Sequence, residues 1–272
     1  MKPIIVNNLE IRLADSEVEL AASQALRYRV FYGEMGAKAT PRVAMSELDF
    51  DPYDEFCDHL LVIDRERSTA VKPCVVGTYR LLRGDVADEY AGFYSESEFE
   101  LKPLVQRSGQ VLELGRSCID AEYRSRGTMQ LLWRGIADYV FANSVRYMFG
   151  CAPIPGVNPS DVKLPLSYLH HYHMAPQSIR THALEQRYVD MNMMDKDAID
   201  VGRALRELPP LIKGYLRVGG VIGDGAVIDY DFNTIDVNII VETENVTSKY
   251  RNHYTRDNKP AVEAPVTQDA AA

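Results

Sequence analysis

The spacing of apolar positions changes period several times along the chain, and each change marks an element. Ser16 precedes Glu19 in the S-x-x-E form of a capping box, and Val18, Ala21, Ala22, Ala25, Leu26 and Phe31 follow near helical spacing. A helix is therefore expected over about 16–32. From 33 to 58 no period survives; glycine, proline and many acids point to a long ordered loop over a site. Strand-like runs follow at 59–64, 74–82 and 111–120, the last leading into a turn at 121–127 and a helix over 128–143. A further strand at 147–152 is closed by Pro153-Ile154-Pro155-Gly156. Strand, turn, helix, strand is the order of an α/β layer. Beyond 180 the strands expected are 187–193 and 234–242, and Pro209-Pro210 opens a short helix that stops at Gly219-Gly220. The chain divides into a core over 10–200, a C-terminal extension over 201–244 packed on it, and a polar, frayed tail over 245–272. No internal repeat is present.

Composition narrows the classes. Apolar residues make up 46% of 272, enough for a sizeable core. The longest apolar runs, such as 60–63 and 139–142, fall far short of the roughly 18 residues a spanning helix needs, and the N-terminus lacks the pattern of a secretory signal. The expected place is the cytoplasm, with peripheral contact at the inner membrane face as an option. Cys57, Cys74, Cys118 and Cys151 form no C-x-x-C pair, so neither zinc nor a disulfide framework is suggested and the thiols are expected reduced. A net charge of −9 opposes nucleic-acid binding. An acidic protein partner would need a local basic patch, for which Arg124, Arg126, Arg134 and Arg146 are the candidates.

The densest chemistry lies between Leu112 and Met129. A strand there feeds an arginine- and glycine-containing turn that opens a helix, which aims backbone N–H groups and the positive helix end at an anion, a phosphate cradle. Amide formation from a thioester also needs a base to take the amine proton and donors for the tetrahedral oxyanion. Glu113 is the best base available. Three residues separate it from Arg116, which on a regular strand would place the two on opposite faces. Gly115 between them is a plausible bulge, turning both inward and freeing a backbone N–H. The plainer reading is a structural ion pair between Glu113 and Arg116.

The segment Arg124-Ser125-Arg126-Gly127-Thr128-Met129 resembles the [RQ]-x-x-G-x-[GA] cofactor loop of the GNAT acyltransferases, with Met129 departing at the last position. The resemblance implies an α/β GNAT-like mixed sheet flanked by helices, with Arg124, Arg126, Gly127 and Thr128 at the pantetheine of the acyl donor. The departure at Met129 makes acetyl-CoA less certain as that donor. Arg27 and Phe31 as R-x-x-x-F, Asp51 and Asp54 as D-x-x-D, Arg80 alone on a strand, and Glu113 with Arg116 as E-x-x-R are together similar to the acyl-homoserine lactone synthases. That branch implies acyl carrier protein as donor and partner, with no permanently bound cofactor. The wider chain resembles the ornithine N-acyltransferases of bacterial ornithine lipid synthesis through Cys57-Asp58-His59-Leu60-Leu61-Val62, Leu112 through Ile136, Leu169-His170-His171-Tyr172-His173, Leu208 through Tyr215 and Gly223 through Asp229. It implies transfer of a 3-hydroxyacyl group to the α-amine of ornithine. Arg27, Phe31, Asp51, Asp54 and Arg80 are then expected either to bind the amino acid or to clamp the long loop.

Other signals are weaker. His59 and Asp64 match H-x-x-x-x-D of glycerolipid acyltransferases, but five steps along a strand set them on opposite faces. His170, His171 and His173 lack partners at ligand spacing and are expected to make local hydrogen bonds or line the donor site; no metal is expected. Asp229-Tyr230-Asp231-Phe232-Asn233 opens like a calcium loop, yet Thr234 replaces its glycine and Ile240 its glutamate. The 205–217 helix is expected to pack on the core rather than rest on lipid. Rival readings are a homoserine lactone synthase, disfavoured by the C-terminal extension and by the lack of that family's tryptophan in 33–45, Trp133 being the single one; another amino-acid N-acyltransferase, with glycine, lysine or glutamine as acceptor; and a non-catalytic acyl- or lipid-binding module, disfavoured by Glu113, Arg116 and Gly127.

Overall fold

The computed structural model describes residues 1–69, 71–107, 109–124, 126–244 and 246, with only the backbone of Arg126. Its strands are β1 (Ile4–Val6), β2 (Leu9–Leu13), β3 (Asp58–Asp64), β4 (Val75–Arg83), β5 (Phe99–Glu100), β6 (Gln110–Ile119), β7 (Val145–Pro155), β8 (His182–Ala183), β9 (Tyr188–Val189), β10 (Val221–Asp229) and β11 (Thr234–Glu242). The helices are α1 (Glu17–Tyr28), α2 (Pro41–Ser46), α3 (Gly84–Glu89), α4 (Lys102–Val105), α5 (Arg126–Ala142), α6 (Lys163–His173), α7 (Val201–Glu207) and α8 (Pro210–Arg217). The strands form one mixed sheet in the order β1-β2-β3-β4-β6-β7-β11-β10-β8-β5, with β9 on β10, and helices cover both faces. This is the GNAT-type α/β fold expected from the cofactor-loop resemblance.

Each face has its own apolar layer. On one, α5 lays Leu132 and Ile136 against Leu60, Val62 and Val76, and α8 adds Ile212 and Tyr215. Leu26, Val30 and Phe31, from α1 and the wider turn after it, meet Leu61, Ile63 and Val75 on the opposite face of the same strands. Burial on both sides makes these strands near-continuous apolar runs. Ser16 caps α1 by accepting from Glu19 N, but the Glu19 carboxylate turns to Arg12 and the Asp15 amide, so only half of the expected capping box forms.

The structure adds elements to the sequence reading. Short helices at Pro41–Ser46 and Pro52–Glu55 interrupt the expected 33–58 loop, and strand structure within 187–193 is limited to Tyr188–Val189. The segment 201–244 supplies α7, α8, β10 and β11, and β11 lies antiparallel beside β7 along its whole length. The α8 helix packs Tyr215 against Trp133 at 4.9 Å between ring centroids, the core-packing role expected of it. No helix among the described residues is long and apolar enough to cross a membrane. The expected tail lies outside the described residues, Val246 apart.

Candidate active site

One junction in the sheet is open. The parallel pairing of β6 with β7 ends at Glu113↔Phe149, although β6 continues to Ile119 and β7 to Pro155. Just past that point the backbones still nearly touch: a Cβ on Gly150 would lie 2.3 Å from the Leu114 carbonyl oxygen, so only glycine fits. Beyond it the strands part, and backbone groups on this edge of β6 carry no ladder bonds to β7. The cleft here holds about 1020 Å³ of empty space, partly open to solvent. Glu113, Phe149, Cys151 and Asp236 line it from one face of the sheet, and Leu114, Met148, Ile239 and Tyr215 from the other. It therefore runs through the sheet.

The expected bulge is present. Thr78↔Cys118 and Arg80↔Gly115 bracket one extra residue on β6, and Arg116 has φ 48°, a left-handed conformation that costs a non-glycine residue about 1–2 kcal/mol. The left-handed residue is thus Arg116 rather than Gly115. The extra residue brings Arg116 to the same side as Glu113.

These two residues do not pair with each other among the described residues. Glu113 accepts hydrogen bonds from Tyr94 N and Ser95 N at 2.8 Å each and from the Ser95 hydroxyl. Burial pushes its carboxyl above the ordinary range, opposed by the Ser95 and Tyr94 donors. The Arg116 guanidinium lies 2.9 Å from Asp51 and 3.3 Å from Asp49, and its flat face meets the rings of Phe232 and Tyr94.

The family-motif residues of the first helix and loop converge behind this wall. Arg27, fully buried, bonds Asp49 at 2.7 Å and Asp54 at 2.6 and 3.0 Å, and Arg80 bonds Asp51 at 2.5 Å and Asp54 at 3.1 Å. Three arginines thus face three aspartates. Burial pushes the Asp54 carboxyl up, but Arg27 and Arg80 outweigh it and hold the carboxyl below its usual range. Phe31, Arg80, Glu113 and Arg116 reach the cleft; Arg27, Asp51 and Asp54 do not line it.

The donor-loop residues lie at the N-terminus of α5, outside the cleft lining. Arg124 bonds the Ile119 carbonyl at 3.0 Å and pairs with Glu34 at 2.5 Å, Gly127 is exposed and Thr128 buried. The Arg126 side chain lies outside the described residues. Met129, in the first turn of α5, is half-buried against the core. Away from the cleft, His171 bonds the Met194 carbonyl and His173 the Tyr168 hydroxyl, local hydrogen bonds as expected. His59 bonds the Asp54 carbonyl at 3.1 Å.

Sequence reasoning missed several residues of the wall around Glu113. Ser95 and Tyr94 come from an aperiodic loop and carried no signal. For Cys151 the sequence indicates only a reduced thiol, and for Asp229 only the end of the resembling 223–229 segment and the start of a failed calcium loop. Asp236 stood unremarked within the expected 234–242 strand.

Residues 26–134 match the Acetyltransferase (GNAT) domain family. The chain is similar to an L-ornithine N(alpha)-acyltransferase of Rhizobium meliloti, 44% identical over 93% of this chain and 86% of that protein. Another, from Brucella abortus, is 45% identical over 92% of this chain and 89% of its own length. Among solved structures, an N-acyl amino acid synthase from uncultured soil microbes superposes with a TM-score of 0.48 at 10% identity, covering 91% of this chain and 95% of that one. A GNAT domain, and relatives of this identity across nearly the whole chain, show that it belongs to the family of L-ornithine N(alpha)-acyltransferases.

Proposed function

We propose that this acyltransferase moves a fatty acyl group, a 3-hydroxyacyl group by resemblance, from acyl carrier protein to the α-amine of L-ornithine, the first step of ornithine lipid synthesis. The observation that carries the reading is Glu113, buried at the point where β6 and β7 part, in a cleft lined from both faces of the sheet. A thioester on a phosphopantetheine arm enters along the N-terminus of α5, whose free amides suit its phosphate, and the amino acid meets it at the seam. Glu113 takes the amine proton as nitrogen attacks the thioester carbon. Backbone N–H groups on the unpaired edge of β6 receive the oxyanion. Collapse forms the amide and breaks the C–S bond; the proton held by Glu113 returns to the departing thiolate. Arg80 and Arg116 reach the cleft with their charge already matched by aspartates, and in this reading they place the substrate carboxylate while Arg27, Asp51 and Asp54 hold them rigid.

The test is incubation of the purified protein with 3-hydroxyacyl-loaded carrier protein or the matching acyl-CoA and a panel of amino acids, with product masses read out. Acyl-ornithine from the carrier-bound donor is the expected result. Binding of either substrate with no product from any combination would point instead to a non-catalytic module.

A further inference from the structure

The wall beyond Glu113 holds more buried carboxyl groups than the chemistry of one amine needs. Asp236 is 7% exposed and Asp229 9%, and both line the cleft. One oxygen of Asp236 accepts from the Thr234 hydroxyl at 2.7 Å, and one oxygen of Asp229 accepts the amides of Asp231 and Phe232. The second oxygen of each takes no hydrogen bond from the described residues, and neither carboxylate has an ion-pair partner among them. Glu98, 3% exposed, lies beside them, with Arg187 at 3.4 Å its ion-pair partner. Its other oxygen is 3.2 Å from the Cys151 thiol, which is 3.3 Å from Ser95 Oγ, the hydroxyl that bonds Glu113. A chain of polar contacts thus ties this corner to the base.

Buried carboxylates without cations are costly, and an unfilled oxygen facing a ligand cleft asks for a donor. We propose that Asp236 and Asp229, with Glu98 behind them, form the subsite for the side-chain ammonium of a diamino acid, which makes the enzyme select such substrates and acylate their α-nitrogen. This rests on the acyl-transfer reading above. An ammonium brings three donors and a full charge to the two unfilled oxygens. Held there, the side-chain amine stays protonated and cannot attack, while the α-amine lies toward Glu113. Burial, then repulsion from Glu98, pushes the Asp236 carboxyl up to about 8, as expected of an acid built to face a cation that is not yet there.

Calorimetric binding without acyl donor separates this subsite from catalysis. L-Ornithine is compared with L-norvaline, the same skeleton lacking the side-chain amine, on the native protein and on Asp236→Asn and Asp229→Asn. The native protein should favour ornithine by about 10–100-fold, the range for a hydrogen bond to a charged group. The preference should shrink toward unity in the variants, while their norvaline binding, which also reports an intact fold, stays unchanged. Equal native binding of the two ligands, or a preference that survives both substitutions, would overturn the subsite. So would an ornithine preference that vanishes with a chelator and returns with zinc, because Glu98, Cys151 and Asp236 lie close enough to hold a metal ion. Turnover with loaded carrier protein is scored separately: selective binding without product would sink the acyl-transfer reading alone. Where turnover occurs, Asp236→Asn should release some side-chain acylated product, which fragmentation of the product resolves.

Discussion

The side chain of Glu113 accepts three donors and has no cation at hydrogen-bond distance among the described residues, so its proton affinity is set by a balance between burial and hydrogen bonding. Because burial wins and the carboxyl sits above the ordinary range, the basic form is lost as pH falls through that raised value. The acid limb of kcat/KM should therefore lie higher than for a solvated glutamate. Glu113→Gln keeps the size and removes the basicity. Turnover should fall about 100- to 10,000-fold with folding preserved, the acid limb should vanish, and higher pH should restore part of the rate as free amine becomes available. Near-native turnover at neutral pH would move the base elsewhere. Asp236 carries the opposite trade. Its carboxyl is raised toward 8 in the fold against about 3.9 when unfolded, so folding takes up a proton between those values and stability falls as pH rises through that window. The groups around it are Glu98, Asp229, Arg187, Cys151 and Thr234, and Asp236→Asn removes one negative charge from that set. The variant's melting temperature should exceed the native one at pH 8 and converge with it near pH 4, where the aspartate is protonated anyway. A constant difference across pH would show that the carboxyl is not buried and strained in this way.

At the scale of elements, α1 and the segment after it are fastened to the sheet edge of the cleft by one ion network, Arg27 to Asp49 and Asp54, Arg80 to Asp51 and Asp54, and Arg116 to Asp49 and Asp51. Among the described residues, removing Arg27 leaves Asp49 paired with Arg116 alone and Asp54 with Arg80 alone, a buried network with one negative charge in excess, at up to about 3–5 kcal/mol. Arg27→Met should lower the denaturant midpoint accordingly. Because Arg27 does not line the cleft, activity per folded molecule should drop far less than in Glu113→Gln. A native midpoint would show that the network relaxes. The positions of Arg27, Asp51, Asp54 and Arg80 were readable through the resemblance to the acyl-homoserine lactone synthases, and the central strands because burial on both faces leaves long apolar runs. The elements that escaped had physical reasons. In β10, Gly223 and Gly225 break the alternation, Gly225 with φ 81° inside the register shift between Ile222 and Ala226. Edge strand β1 carries exposed Ile5 and Val6, and α6 has Pro165 in its first turn and ends in histidines, a mixture without a helical signature.

For the whole molecule, the cleft exists because β11 enters the sheet beside β7 while β6 and β7 part, so residues more than a hundred positions apart, such as Glu98 and Asp236, become neighbours. That is why the E-x-x-R segment was legible and its acidic counterpart was not: local spacing shows the first, and only the strand order brings the second together. In the proposed reading the donor enters at the N-terminus of α5, apart from the acidic wall, so the two substrates would meet different electrostatics. If the donor is the proposed acyl carrier protein, a chain with a net charge of −9 repels it as a whole, and docking would draw on a local positive field at the N-terminus of α5, where the sequence places Arg124 and Arg126. Such attraction between exposed charges is screened over about 10 Å at 0.1 M salt. Turnover with loaded carrier protein should accordingly decline as salt is added. Arg126→Glu should cut the low-salt rate by about tenfold and flatten the salt response, since rim charges act mainly on association. With a free acyl-CoA thioester, which lacks the carrier's acidic surface, the same substitution should cost much less. Equal use of both donors, together with an Arg126→Glu protein indistinguishable from native at every salt concentration, would rule out carrier-protein docking at this face and leave the small thioester as the donor.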